Sequence, residues 1–112
     1  MKKYIDIING SRDANKLKIK LYYNLGGYNC FTHKEEPRGY YVSVSPVEHS
    51  SRGGITMESY AAFSGVKQCV KPVNRKSAKA EKDAEQIAPE IIRDLITYVC
   101  NKNGFIIGDY TI

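Results

Sequence analysis

The chain has 112 residues, 42% of them apolar and 26% charged, with a net charge of +5. That length suits one domain, 1–112, and argues against two; the balance of apolar and charged residues excludes a disordered or fibrous chain. No apolar run reaches the roughly 18 to 20 residues of a bilayer span, and the start MKKYIDIING lacks a continuous signal-peptide segment, so the expected location is the cytoplasm, with no membrane contact.

From the N-terminus, KYIDII reads as a short strand ended by the turn-forming NGSRDANK. KLKIKLYYN is the clearest strand, alternating Leu17, Ile19 and Leu21 on one face with Lys18, Lys20 and Tyr22 on the other. LGGYN supplies a turn, YNCFTH is a candidate return strand, and KEEPRG reads as a loop. YYVSVSPV alternates again, with Tyr40, Val42 and Val44 opposed to Tyr41, Ser43 and Ser45, and Pro46 suits its end or an edge. After a turn or mobile loop at HSSRGG, ITMESYAAF places Ile55, Met57 and Phe63 on one side and Thr56, Glu58 and Tyr60 on the other. VKQCVKPV is a further short strand.

From Asn74 the period changes from two to about three and a half. Ala80, Ala84, Ile87, Ala88, Ile91, Leu95 and Val99 form one apolar stripe, predicting a long amphipathic helix with Asn74 or Ser77 as N-cap and Gly104 as its end. Pro89 predicts a kink, because a helix-interior proline costs about 3 kcal/mol if nothing compensates. The tail GFIIGDYTI either adds a strand or covers the helix end. The expected architecture is α+β: an antiparallel β-meander of four to five strands with one long, Pro-kinked C-terminal helix packed on one face. The other face is left to solvent or to a partner.

Charge is unevenly spread. Residues 1–20 carry +4, residues 21–62 carry −1, residues 63–82 carry +5 and residues 83–112 carry −3. The second basic block holds Lys67, Lys71, Arg75, Lys76, Lys79 and Lys82, with Arg75, Lys79 and Lys82 at i, i+4 and i+7. Cations in the first helical turns oppose the helix dipole, which an anion docking there would relieve; a solvated basic face neutralised by Glu81, Asp83 and Glu85 is the plainer account. On the uncovered sheet face, Tyr22, Tyr41 and Tyr60 offer rings for bases, and Lys18 and Lys20 offer charge for phosphates. Sheet packing alone also favours tyrosine and threonine there.

Enzymatic chemistry has no support in the sequence. Cys30 and His33 make a C-x-x-H pair, but His49 and Cys69 do not continue a zinc spacing, no phosphate-binding glycine loop is present, and Glu35 and Glu36 beside Pro37 read as solvated acids. The three cysteines, Cys30, Cys69 and Cys100, are odd in number and scattered, which fits buried thiols in a reducing compartment. No cofactor and no metal are expected.

The segments GGYNCFTHKEEPRGYYVSVSPVE and AFSGVKQCVKPVNRKSAKAE resemble a group of small proteins from phages and conjugative elements of Firmicutes and their relatives. The resemblance covers about residues 26 to 82, roughly half the chain. It implies a mobile-element context and supplies no catalytic residues. The leading expectation is therefore a small accessory protein that binds DNA or RNA through the basic helix start and the Tyr/Lys face. The other is a protein-interaction module that presents its tyrosines to a host protein or to a second copy of itself.

Overall fold

The computed structural model describes residues 1–11, 14–30, 33–52, 54–60 and 65–112; at 50–52, 55–57, 59 and 60 it describes the backbone alone. Among the described residues the chain forms seven strands and one helix: β1 (Lys2–Asp6), β2 (Lys16–Asn24), β3 (Gly27–Asn29), β4 (Lys34–Glu36), β5 (Gly39–Arg52), β6 (Ile55–Tyr60), β7 (Val66–Pro72) and α1 (Ala78–Asn103). The architecture is α+β, as the change of period at residue 74 predicts.

Five strands make one antiparallel sheet in the order β1-β2-β5-β6, with β7 also pairing with β5. The centre is β5, 14 residues long. One edge of β5 pairs with β2 from Gly39 to Val47; the other edge pairs first with β7, over residues 39–44, and then with β6, over residues 47–52. The expected end of this strand at Pro46 and the expected loop at His49–Arg52 are corrected: the strand continues to Arg52. Pro46 is tolerated because β7 pairing stops at Val44 and β6 pairing starts at Val47, so no partner on that edge calls for its missing N–H. Asn15 fixes the continuation, exchanging hydrogen bonds of 2.8 Å between its side-chain amide and the N–H and C=O of His49. The expected return strand YNCFTH is described only in part, Phe31 and Thr32 lying outside the described residues; β3 covers its first two residues, β4 lies in the expected loop KEEPRG, and the two pair with each other in a separate two-stranded ribbon.

β7 departs from regular alternation. Tyr41 pairs with Cys69 but Tyr40 with Lys71, so Val70 is one residue extra, a β-bulge. Lys67 opposite Ser43 and Lys71 opposite Tyr40 therefore lie on opposite faces of the sheet, although a spacing of four in an uninterrupted strand would align them.

The helix covers one face. Leu17, Ile19, Leu21, Tyr40, Val42 and Val44 are buried against it, as their alternation predicts. Ile55, Met57 and Phe63, also expected in this core, lie outside the described side chains. Ser77 is the N-cap, its side chain accepting from the Ala80 N–H at 3.0 Å, and Gly104 ends the helix at φ 70°, conformations that any cap at these positions requires.

The apolar stripe is corrected in phase. Ala80, Ala84, Ala88, Ile92, Ile96 and Val99 are buried, while Ile87 is 42% exposed and Ile91 and Leu95 are half-buried on the flank. Four-residue steps overshoot a full turn by about 40°, so this ridge runs obliquely across the helix and matches a twisted sheet. The helix runs through Pro89 without a break. Ala84, Ala88 and Ile92 pack against the sheet on both sides of that residue, which offsets the lost backbone hydrogen bond.

The tail makes one bridge, Ile7 to Ile107, and is tied to the turn after β1 by Asn9, whose side chain donates to the Gly104 carbonyl and accepts from the Ile106 N–H. No helix among the described residues is long and apolar enough to cross a membrane.

Candidate nucleic-acid interface

The face opposite the helix carries Lys18, Lys20 and Tyr22 from β2, paired across to Ser45, Ser43 and Tyr41 of β5. Lys67 and Cys69 of β7 lie beside Ser43 and Tyr41, and Tyr4 of β1 lies beside Lys18. Strand alternation brings these residues together as expected, yet they fall into three different environments.

At one end, Glu58 gathers its neighbours. Its carboxylate accepts from Lys18 Nζ at 2.5 Å and from the Tyr4 hydroxyl, and the Tyr4 ring lies 5.2 Å from His49. The Lys18 side chain is 13% exposed, so its charge is spent on Glu58 and is not offered to a phosphate. Tyr4 was invisible to a reading centred on β2 and β5, because only the β1 register reveals it.

At the other end, Tyr41 is 3% exposed and cannot stack a base, which corrects the expectation placed on it. Its hydroxyl donates to the Pro37 carbonyl at 2.6 Å, and its ring lies 6.0 Å from Tyr22 and 5.9 Å from Lys67 Nζ. Burial, helped by the nearby Cys69 and Glu36, pushes the phenol up to about 12. Glu36, on β4, lies over this end, 2.7 Å from Lys67 Nζ, and accepts from the Asn29 side-chain amide at 2.6 Å. Nothing in the spacing of residues 34–39 signals that Glu36 and Pro37 return onto the sheet.

Between the two ends a groove of about 410 Å³ is lined by Lys20, Tyr22, Ser43, Ser45, Val66 and Lys67, with Gly65 at its wall. A Cβ on Gly65 would stand 2.6 Å from Ser45 Oγ and 2.9 Å from the Val44 carbonyl, so only glycine permits this approach. Lys20 Nζ rides 4.7 Å from the centre of the Tyr22 ring and has no ion-pair partner among the described residues.

Tyr22 also lines a second groove, of about 560 Å³, with Leu21, Tyr23, Tyr40, Lys76, Ser77 and Glu81. Here Lys76 Nζ stands 5.8 Å from the Tyr23 ring, and the Tyr40 hydroxyl bridges the N–H and C=O of Ser77 at 3.3 Å each. Arg75, Lys76, Lys79 and Lys82 are exposed and without carboxylate partners among the described residues. The expected single stripe of Arg75, Lys79 and Lys82 is corrected: α1 begins at Ala78, so Arg75, like Lys76, lies before the helix and only Lys79 and Lys82 share it. Lys71, turned to the helix side by the bulge, approaches Asp83 at 3.9 Å. Tyr60 pairs with Val47 by register, and its side chain lies outside the description.

Cys30 is exposed rather than buried, and His33 Nδ1 lies 3.1 Å from the Tyr28 hydroxyl. Among the described residues no three His, Cys, Asp or Glu side chains converge on a common point. Comparison of the chain with protein-family models, with curated proteins and with solved structures found no match.

Two of the lysine-bound carboxylates, Glu36 and Glu58, make stability depend on acid. Lys67, then Asn29, hold Glu36 below its ordinary value of 4.5; Lys18, then Tyr4, do the same for Glu58. A lowered folded-state value means that the contribution is present above about pH 4.5 and is lost as pH falls through the folded value. The melting temperature is thus expected to drop between about pH 5 and pH 3, followed by circular dichroism. A Glu36→Gln, Glu58→Gln double variant is expected to melt lower at neutral pH with a shallower acid slope; an unchanged slope would contradict the assignment.

Proposed function

We propose that this protein is a non-enzymatic, cytoplasmic accessory protein of a mobile element that binds single-stranded nucleic acid along the rim joining its two grooves. The observation that carries this reading is the position of Tyr22, which lines both grooves and so links Lys20 on the sheet face to Lys76 at the helix start. In this reading the two basic regions of the sequence serve one path that turns over the end of the sheet at Tyr22.

In the free protein each lysine lies over a tyrosine ring, Lys20 on Tyr22 and Lys76 on Tyr23. A single strand would draw the ammonium groups onto its phosphates and leave the rings to its bases, an exchange of one cation–π contact for a base stack and a phosphate contact. Arg75, Lys79 and Lys82 extend the path for further phosphates. Lys18, Lys71 and Tyr41 fall outside it, because each is paired or buried. A duplex is disfavoured, because the rings would have nothing to stack on while bases remain paired.

Titration of a labelled mixed-sequence oligonucleotide of about 12 nucleotides, a length typical of single-strand sites, tests this reading. Log affinity is expected to fall with log salt at a slope near −3.5 if five cations each engage one phosphate of a single strand. Lys20→Gln with Lys76→Gln should weaken binding about tenfold at low salt. No binding at low salt, or binding indifferent to salt, would overturn the reading.

A protein-interaction role has one observation in its favour: Ile87 and Tyr98, 42% and 51% exposed, flank the half-buried Ile91 on the outer side of α1. Recovery from native cells with and without nuclease separates the two, since only a nucleic-acid-mediated association disappears on digestion.

A further inference from the structure

Lys67 stands in the wall between two spaces. On one side is the sheet-face groove with Lys20, Ser43 and Ser45; on the other is a cavity of about 310 Å³ under the β3–β4 ribbon, lined by Asn24, Tyr28, Asn29 and Glu36. Its side chain is 41% exposed, yet its ammonium is not free, because the carboxylate of Glu36, a side chain only 16% exposed, lies 2.7 Å away. Glu36 belongs to a ribbon that pairs with no strand of the main sheet. The Glu36 carboxylate is thus held by one amide N–H, from Asn29, and one ammonium, from Lys67. That donor set suits a phosphate oxygen as well as a carboxylate oxygen.

We propose that Glu36 is a built-in competitor for phosphate at Lys67: its carboxylate occupies, in the free protein, the place that a backbone phosphate of the bound strand takes in the complex. This rests on the nucleic-acid reading above and specifies where the strand enters the groove. Binding then exchanges an internal anion for an external one. The groove is held at moderate affinity, and displacement of the β3–β4 ribbon is the event that admits the next phosphate.

The test is the same labelled oligonucleotide titrated against Glu36→Gln, which preserves shape and an acceptor for Asn29 while removing charge. Affinity is expected to rise about fivefold and the salt slope to steepen by about 0.7, one further counterion released from a single strand. Adding Lys67→Gln to this variant should cancel the increase. In the wild-type background Lys67→Gln should change affinity by under about twofold, whereas Lys20→Gln should cost about fivefold, because Lys20 has no internal anion to lose. Wild-type binding with Glu36→Gln unchanged or weaker, or Lys67→Gln as costly as Lys20→Gln, overturns the competitor and leaves the nucleic-acid reading standing. No binding by either protein overturns both. If Glu36→Gln fails to melt cooperatively, the comparison of Lys67→Gln with Lys20→Gln decides alone.

Discussion

Ile92→Ala is expected to lower the unfolding free energy by about 3 to 4 kcal/mol, and so to lower the melting temperature of a domain this size by about 15 °C. Ile92 is fully buried between α1 and the sheet, in the turn that follows Pro89. Removing its side chain leaves a cavity between a helix and a sheet that are each held by their own backbone hydrogen bonds, so the surroundings have little freedom to collapse into it. Ile87→Ala is the matched control: that side chain is 42% exposed and should cost under about 0.5 kcal/mol. Urea unfolding of the two variants decides the rotation of the helix. Equal losses would mean that the side facing the sheet is the one carrying Ile87, Ile91 and Leu95.

Gly39→Ala is expected to cost at least about 3 kcal/mol and to leave little folded protein at 37 °C, the largest effect of an added methyl among the described glycines. Gly39 opens β5 at φ 154°, and a Cβ there would stand 2.2 Å from the Lys71 carbonyl oxygen and 2.8 Å from the Pro72 Cα. Both are backbone atoms of the strand paired with it, so relief requires the β5–β7 ladder to part next to the bulge. Gly104→Ala makes the comparison sharp. That residue also has positive φ, at 70°, but nothing lies within 4 Å of the added carbon, so only the left-handed strain of about 1 to 2 kcal/mol applies. Similar losses at the two positions would show that conformation, not contact, governs Gly39.

What the sequence discloses follows from which forces act locally. Alternation in 16–24 and 40–45 reveals strand faces because each side chain's direction is set by its own backbone. The helix and its caps are legible for the same reason, down to Gly104. Its rotation is not: Ile91 and Ile92 are adjacent and equally apolar, and only the oblique fit to a twisted sheet selects Ile92 for the core. The burial of Tyr41 escapes notice because the residues near it, Glu36 at the end of a short ribbon and Pro37 just after it, reach the sheet through contacts far apart in sequence, among them one ion pair and one hydrogen bond. Tyr22 and Lys20 are found by pattern alone, whereas the second groove, which Tyr22 lines with Lys76, depends on the end of β2 meeting the start of α1. Continuation of β5 past Pro46 is hidden too, since it depends on the gap between two partner strands.

The extra residue at Val70 also shapes how the molecule looks from a distance. Of two lysines four positions apart, one is delivered to Glu36 on the outer side of the sheet and the other toward Asp83 on the inner side. Each is cancelled by a different carboxylate, and neither reinforces the other. The long-range potential that guides an approaching polyanion therefore draws less on Lys67 and Lys71 than on Lys20 and the residues from Arg75 to Lys82, and the +5 counted over residues 63–82 overstates the attraction felt outside the surface.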